Sequence, residues 1–240
     1  MRAVTEKRIF MKGNKKYIWF DLGYTLLKLK REESFQEILK NLGFDVSTSQ
    51  IEKAFHLTDK LFMRQYPGVL GKSRAFYMPM YLGNMIYTLG LRTDICPLFV
   101  EWKKKLENPF KVWAPFDNVK NELKNLAAEG YRLGVISNWD KTAVPLLDQF
   151  ELTSFFDNII ISSEVGYEKP DPKIFQIALE MASISVEDSL YVGDNYYDDG
   201  IGSRNIGMDF VIINPYGDLG IEELEGCNLV PDITHLREYL

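Results

Sequence analysis

From Pro115 onward, short apolar runs alternate with segments of helical periodicity, and this alternation constrains the fold more than any other feature of the chain. Arg132–Ile136, Asn158–Ile161, Ser189–Val192 and Phe210–Ile213 read as strands, as does Tyr17-Ile18-Trp19-Phe20 near the start. Near-continuous apolar runs of this length suit strands buried on both faces. Between them lie helical segments with recognisable ends. One follows Asp117, which can cap it; it carries Val119, Leu123, Leu126 and Ala127 on one face and stops at Gly130. A second carries Val144, Leu146, Leu147 and Phe150, and tolerates Pro145 only by starting near Thr142. A third is capped by Asp171, has Pro172 at its first position and buries Ile174, Phe175, Ala178 and Leu179; a short fourth ends near Gly207. The expected body is therefore α/β, a doubly wound, Rossmann-like parallel sheet with helices on both faces. Leu229-Val230-Pro231-Asp232-Ile233 reads as an edge strand, where proline is tolerated.

The pattern changes between residues 34 and 108. Phe35, Ile38, Leu39 and Leu42, then Ile51, Ala54, Phe55 and Thr58, then Leu82, Met85, Ile86 and Leu89 recur at helical spacing. The expected organisation is a body formed by 15–33 and 109–240, with 34–108 inserted as three or four helices. Phe62, Met63, Tyr66, Phe76, Tyr77, Met78, Met80 and Tyr81 either pack the core of that insertion or line a lid that selects the substrate.

Composition removes several function classes. Of 240 residues, 28 are Lys or Arg and 34 are Asp or Glu, giving a net charge of −6. That balance argues against nucleic acid or an anionic membrane as partner. No apolar run approaches the ~20 residues of a membrane span, and residues 1–16 hold no apolar stretch of signal-peptide length. Two cysteines, Cys96 and Cys227, and two histidines, His56 and His235, supply neither zinc sites nor a Ser-His-Asp device. The expected setting is reduced and cytoplasmic.

In an open parallel sheet, ligands sit at the carboxyl ends of the strands. Asp21 follows the first strand and Ser137-Asn138 the second; Lys169-Pro170 precedes the helix after the third; Gly193-Asp194 follows the fourth, with Asp199 five residues on. Each has an ordinary alternative: a turn residue at Asp21, a helix cap at Ser137, a solvated lysine at 169, first-turn acids at Asp198 and Asp199. Three carboxylates brought together would repel one another unless a cation joined them, and an oxygen-rich acidic site suits Mg2+.

The segments Phe20-Asp21-Leu22-Gly23-Tyr24-Thr25-Leu26, Val135-Ile136-Ser137-Asn138, Glu168-Lys169-Pro170-Asp171-Pro172 and Val192-Gly193-Asp194 through Asp199 and on to Met208 resemble the four ordered motifs of the haloacid dehalogenase-like hydrolases. The resemblance spans about Tyr17 to Ile213 and is strongest to the phosphatase-like branch, whose α-helical cap occupies the place of the insertion. It implies that Asp21 is a nucleophile forming an aspartyl-phosphate, that Lys169 offsets negative charge, and that Ser137, Asn138 and Thr25 bind a small phosphorylated substrate. It also implies Mg2+ held by Asp21, the backbone carbonyl of Gly23, Asp194 and Asp199.

One position departs from that pattern. Phosphatases of the family usually carry a second Asp two residues after the nucleophile, as acid to the leaving oxygen and then base to water. Here that residue is Gly23. A positioned acid–base is typically worth ~10²–10⁴ in rate. Three readings follow: a phosphatase for leaving groups that need little protonation, or with another proton source such as Tyr24, Lys28 or a cap residue; a metal-independent dehalogenase; or a binding protein with slow or no turnover.

Overall fold

The computed structural model describes residues 15–240; the leader 1–14 lies outside them. In chain order the strands are β1 (Tyr17–Phe20), β2 (Leu27–Leu29), β3 (Trp113–Pro115), β4 (Arg132–Ser137), β5 (Asn158–Ile161), β6 (Ser189–Gly193), β7 (Asp209–Ile213) and β8 (Leu229–Val230). The helices are α1 (Glu32–Asn41), α2 (Thr48–Gln65), α3 (Arg74–Thr88), α4 (Ile95–Lys105), α5 (Pro109–Val112), α6 (Val119–Ala128), α7 (Ala143–Gln149), α8 (Ser162–Val165), α9 (Pro172–Ala182) and α10 (Ile201–Asn205). The chain divides into two compact units, 15–27 with Pro115–Leu240, and Lys28–Ala114.

The first unit is a six-stranded sheet of order β5-β4-β1-β6-β7-β8, with every adjacent pair parallel. This is the doubly wound order, and it reverses at β1. All four residues of β1 are fully buried. Their side chains alternate, so both faces of the sheet must be covered. On one face Tyr17, Trp19, Ile136 and Tyr191 join Ile174, Phe175 and Ala178 of α9 in a single apolar cluster. Tyr17 and Trp19 stack with ring centroids 4.2 Å apart. They can do so because residue 134 is glycine: any Cβ there would overlap the Trp19 ring.

The second unit is helical. Phe35, Phe55 and Trp102 lie at its centre with ring centroids 4.9–5.7 Å apart. Ser47 and Gln50 close a capping box at the start of α2, and Asp94 caps α4 through the Cys96 amide. Phe62, Met63, Tyr77, Met78 and Tyr81 are buried in this unit, whereas Tyr66, Phe76 and Met80 are exposed.

Some local expectations need correction. Asp117 does not cap α6: the helix begins one residue later, with Asn118 at the cap position and no side-chain hydrogen bond there. The last strand is only Leu229–Val230; Pro231 ends it and Asp232 caps a 3-10 helix over Ile233–Tyr239, on which His235 is exposed. Among the described residues, no helix is long and apolar enough to cross a membrane.

Candidate active site

Asp21 is the first residue beyond β1, at the strand where the sheet order reverses. Its amide is tied to the Val192 carbonyl of β6, which fixes where the side chain emerges. Ser137 closes β4, and its hydroxyl donates to Asp21 Oδ1 at 2.8 Å. Lys169 Nζ donates to the same oxygen, also at 2.8 Å. Oδ1 thus takes two hydrogen bonds and Oδ2 lies outside both.

Lys169 is buried, and its ammonium also donates to Asp199 Oδ1 at 2.6 Å and to the Tyr191 hydroxyl at 2.8 Å. An ammonium has three N–H donors, and here all three are engaged. The loop that carries Lys169 is held by Asn138. The Asn138 amide nitrogen donates to the Lys169 carbonyl at 2.9 Å, and its oxygen accepts from the Lys169 N–H at 2.7 Å. With both ends of the carboxamide on that backbone, Asn138 clamps the lysine loop, and its second amide N–H is outside both of these bonds.

Asp194 and Asp199 come from the turn after β6. Asp199 is fully buried; its Oδ2 accepts from the Asn195 N–H at 2.9 Å. The turn Tyr196–Gly200 is a π-helical coil leading into α10, which brings Asp199 back against the end of β6. Gly193 makes that return possible, because a Cβ there would overlap the Asp199 carboxylate. One carboxylate oxygen from each of Asp21, Asp194 and Asp199 lies within 4.8 Å of the others. Thr25 is buried in the loop after β1, and its hydroxyl has no partner among the described residues. Gly23 is half-buried in that loop and bridges to Leu27; Tyr24, next in line, has a left-handed backbone with φ 53.

The electrostatics follow from this crowding. Burial, and then the charge of Asp199, push the Asp21 carboxyl up, against the pull of Lys169. Burial works against the Lys169 cation, yet Asp199 and Asp21 hold its pKa well above the ordinary lysine value. Asp198, beside the cluster, is pushed up to about 7, first by burial and then by Asp199.

Two participants carried no signal in the sequence. The Tyr191 hydroxyl sits inside an apolar strand where an aromatic ring is expected for packing alone. Asp198 reads as an ordinary first-turn acid.

Residues 18–213 match the model of the haloacid dehalogenase-like hydrolase family. A Pyrococcus abyssi protein, glyceraldehyde 3-phosphate phosphatase, is 39% identical over 211 residues, covering 82% of this chain and 80% of that one. Human haloacid dehalogenase-like hydrolase domain-containing protein 3 is 27% identical over 230 residues, 90% of each chain. Among solved structures, a dehalogenase with an intermediate complex superposes with TM-score 0.63 at 18% identity, covering 93% of this chain and 96% of the other, which speaks to the fold alone. The ordered loops, the doubly wound sheet and these likenesses together place the chain in the haloacid dehalogenase-like hydrolase family.

Proposed function

We propose that the protein is a Mg2+-dependent phosphomonoester hydrolase that acts on a small phosphorylated metabolite through an aspartyl-phosphate on Asp21. The observation that carries this reading is a charge imbalance at the end of β1. Three buried carboxylates, Asp21, Asp194 and Asp199, face one buried ammonium, Lys169. Counted over these four groups alone the formal charge is −3 + 1 = −2, which one divalent cation would balance. The donors are hard oxygens, which suit Mg2+. Asp21, Asp194 and the Gly23 carbonyl would hold the ion, with Asp199 orienting the set, since both its oxygens already accept hydrogen bonds. When bound, the cation keeps the carboxylates ionised and draws charge from a phosphoryl oxygen.

The chain's own residues supply the rest. Ser137 and Lys169 both bond Oδ1 of Asp21, which leaves Oδ2 as the more nucleophilic oxygen. Oδ2 attacks phosphorus in line; the new O–P bond forms as the ester P–O bond breaks and the leaving oxygen departs with the bonding pair. Water then attacks the aspartyl-phosphate and regenerates Asp21. Lys169 contributes positive charge beside the nucleophile. Thr25 supplies a buried hydroxyl to the phosphoryl group. With Gly23 in place of an acid, leaving groups that are stable as anions are favoured. The name of the Pyrococcus abyssi relative supports a small phosphorylated substrate, and the two free cysteines fit a reducing, cytoplasmic setting.

The test is hydrolysis of p-nitrophenyl phosphate and a panel of phosphometabolites that includes glyceraldehyde 3-phosphate. Asp21→Asn should lower kcat at least ~10³-fold, and excess EDTA should stop turnover. Full activity in either condition overturns the corresponding assignment. Gly23→Asp should speed alkyl phosphates more than aryl ones, by up to ~10²; equal gains on both would refute the account of the missing acid. Chloride release from a 2-haloacid without metal is the control for the dehalogenase alternative.

A further inference from the structure

We propose that Tyr191 is a positioning residue that locks the Lys169 ammonium onto Asp21 and Asp199; the inference rests on the role given to Lys169 above. Tyr191 lies in β6, paired with Trp19 on one side and Phe210 on the other, and is fully buried. A phenylalanine would serve for packing alone, since the ring is already held edge-to-face by Phe175 at 5.4 Å. The hydroxyl has a more specific environment. It accepts from Lys169 Nζ at 2.8 Å, donates to the Ile136 carbonyl at 2.8 Å, and stands 3.1 Å from Asp199 Oδ1.

A phenol has one proton. With that proton directed to Ile136, the lone pairs face the lysine. The tyrosine therefore supplies the third acceptor that Lys169 needs once Asp21 and Asp199 have taken two of its N–H groups. Burial, and then the Asp199 charge, hold the phenol in its neutral form. Two consequences follow. The ammonium cannot swing toward an incoming phosphoryl oxygen without breaking a bond already made, so it acts on the reaction through charge and through its grip on Oδ1 of the nucleophile. Without the hydroxyl, one buried Lys169 N–H loses its acceptor, and the ammonium turns away from Asp21 to satisfy it.

Tyr191→Phe keeps the ring and its packing. With p-nitrophenyl phosphate and Mg2+, the variant should lose about ten-fold in kcat with KM within about two-fold, the size expected for a hydrogen bond to a charged group. Acylation of the whole folded protein by acetic anhydride, followed by peptide mass spectrometry, reads the anchor without reference to turnover. Lys169 should label about five-fold faster in the variant, while the equally buried Lys15 and Lys60 stay within about two-fold of wild type. Unchanged Lys169 labelling, or all three lysines rising together, would overturn the proposal, as would an unchanged kcat in an active enzyme. Should the wild type hydrolyse no phosphate ester, the reaction assignment fails on its own, and selective labelling of Lys169 would still establish the tyrosine as its anchor.

Discussion

Each unit buries a cluster of charge, and the two clusters differ in balance rather than depth. In the helical unit, the Arg31 guanidinium pairs with Asp59, donates to the Tyr81 hydroxyl at 3.2 Å and lies 4.0 Å over the Phe55 ring. Tyr81 in turn donates to Asp59. In the sheet unit, one ammonium faces three carboxylates. Arg31 and Asp59 are each 7% exposed, while Asp21 and Asp194 are each 8% exposed. Burial therefore does not separate a structural ion pair from a candidate catalytic centre; stoichiometry does. Of the buried groups, Arg31 faces one anion, Asp59, with the partly exposed Glu32 3.6 Å from its Nε, and a pair of that kind holds a core together. Counted over Lys169, Asp21, Asp194 and Asp199 alone, the sheet cluster carries two more negative than positive charges, which a bound divalent cation would offset.

The sharpest way to break this comparison is to remove the cation from each cluster. Arg31→Met leaves the buried Asp59 without its cation, with the Tyr81 hydroxyl still donating to it, and should cost about 3–5 kcal/mol in urea unfolding, with no recovery when Mg2+ is added. Lys169→Met should cost a similar amount in EDTA and abolish turnover, yet regain part of its stability in Mg2+, because the ion can offset the stranded Asp21 and Asp199. Equal behaviour of the two variants toward Mg2+ would erase the distinction drawn here.

A second test leaves both cations in place. If the anionic excess binds a divalent ion, Mg2+ at about 100 times its Kd should stabilise the wild type by about 2.7 kcal/mol. Asp194→Asn should remove most of that increment, whereas Asp59→Asn, although destabilising in itself, should leave it intact. Isothermal calorimetry on the same proteins checks that the gain reflects binding. An undiminished gain in Asp194→Asn would take that residue out of the metal set.

The comparison also marks what the sequence could disclose. The sheet was legible because parallel strands buried on both faces leave continuous apolar runs such as Tyr17–Phe20, and α9 because Asp171 and Pro172 mark its start. The strand-end residues were legible because topology alone carries Asp21, Ser137, Lys169 and Asp194 to one edge. The Arg31–Asp59–Tyr81 cluster was not, since its members lie 28 and 22 positions apart with no period to connect them. Nor were β2 and β3: each is three residues long, and Lys28 interrupts the apolar character of β2. The part played by Asn138 was hidden for a different reason. Its carboxamide grips a backbone 31 positions away, and spacing reveals nothing of such a contact.

The smallest expected effect concerns Asp198, at the margin of the anionic cluster. Its Oδ2 accepts from the Asn195 side chain at 2.8 Å, while Oδ1 is buried without a partner. Burial first, and Asp199 second, push its carboxyl up to about 7. Unfolded, the group titrates near the ordinary aspartate value of about 4. Between those two values the folded protein holds a proton that the unfolded chain has released, so the metal-free stability contributed by this group is greatest below pH 4 and is lost progressively as the pH rises to 7. Asp198→Asn removes the titration while keeping the shape. In EDTA the variant should therefore gain on wild type as the pH is raised from 4 to 8, with the largest difference in Tm at the alkaline end. The same pH series in saturating Mg2+ should show a smaller difference, because a bound cation offsets the negative charge that makes a second neighbouring carboxylate costly. A difference that was independent of pH would mean that Asp198 is ionised throughout, and that the excess charge at the end of β1 extends one residue further than the three carboxylates counted above.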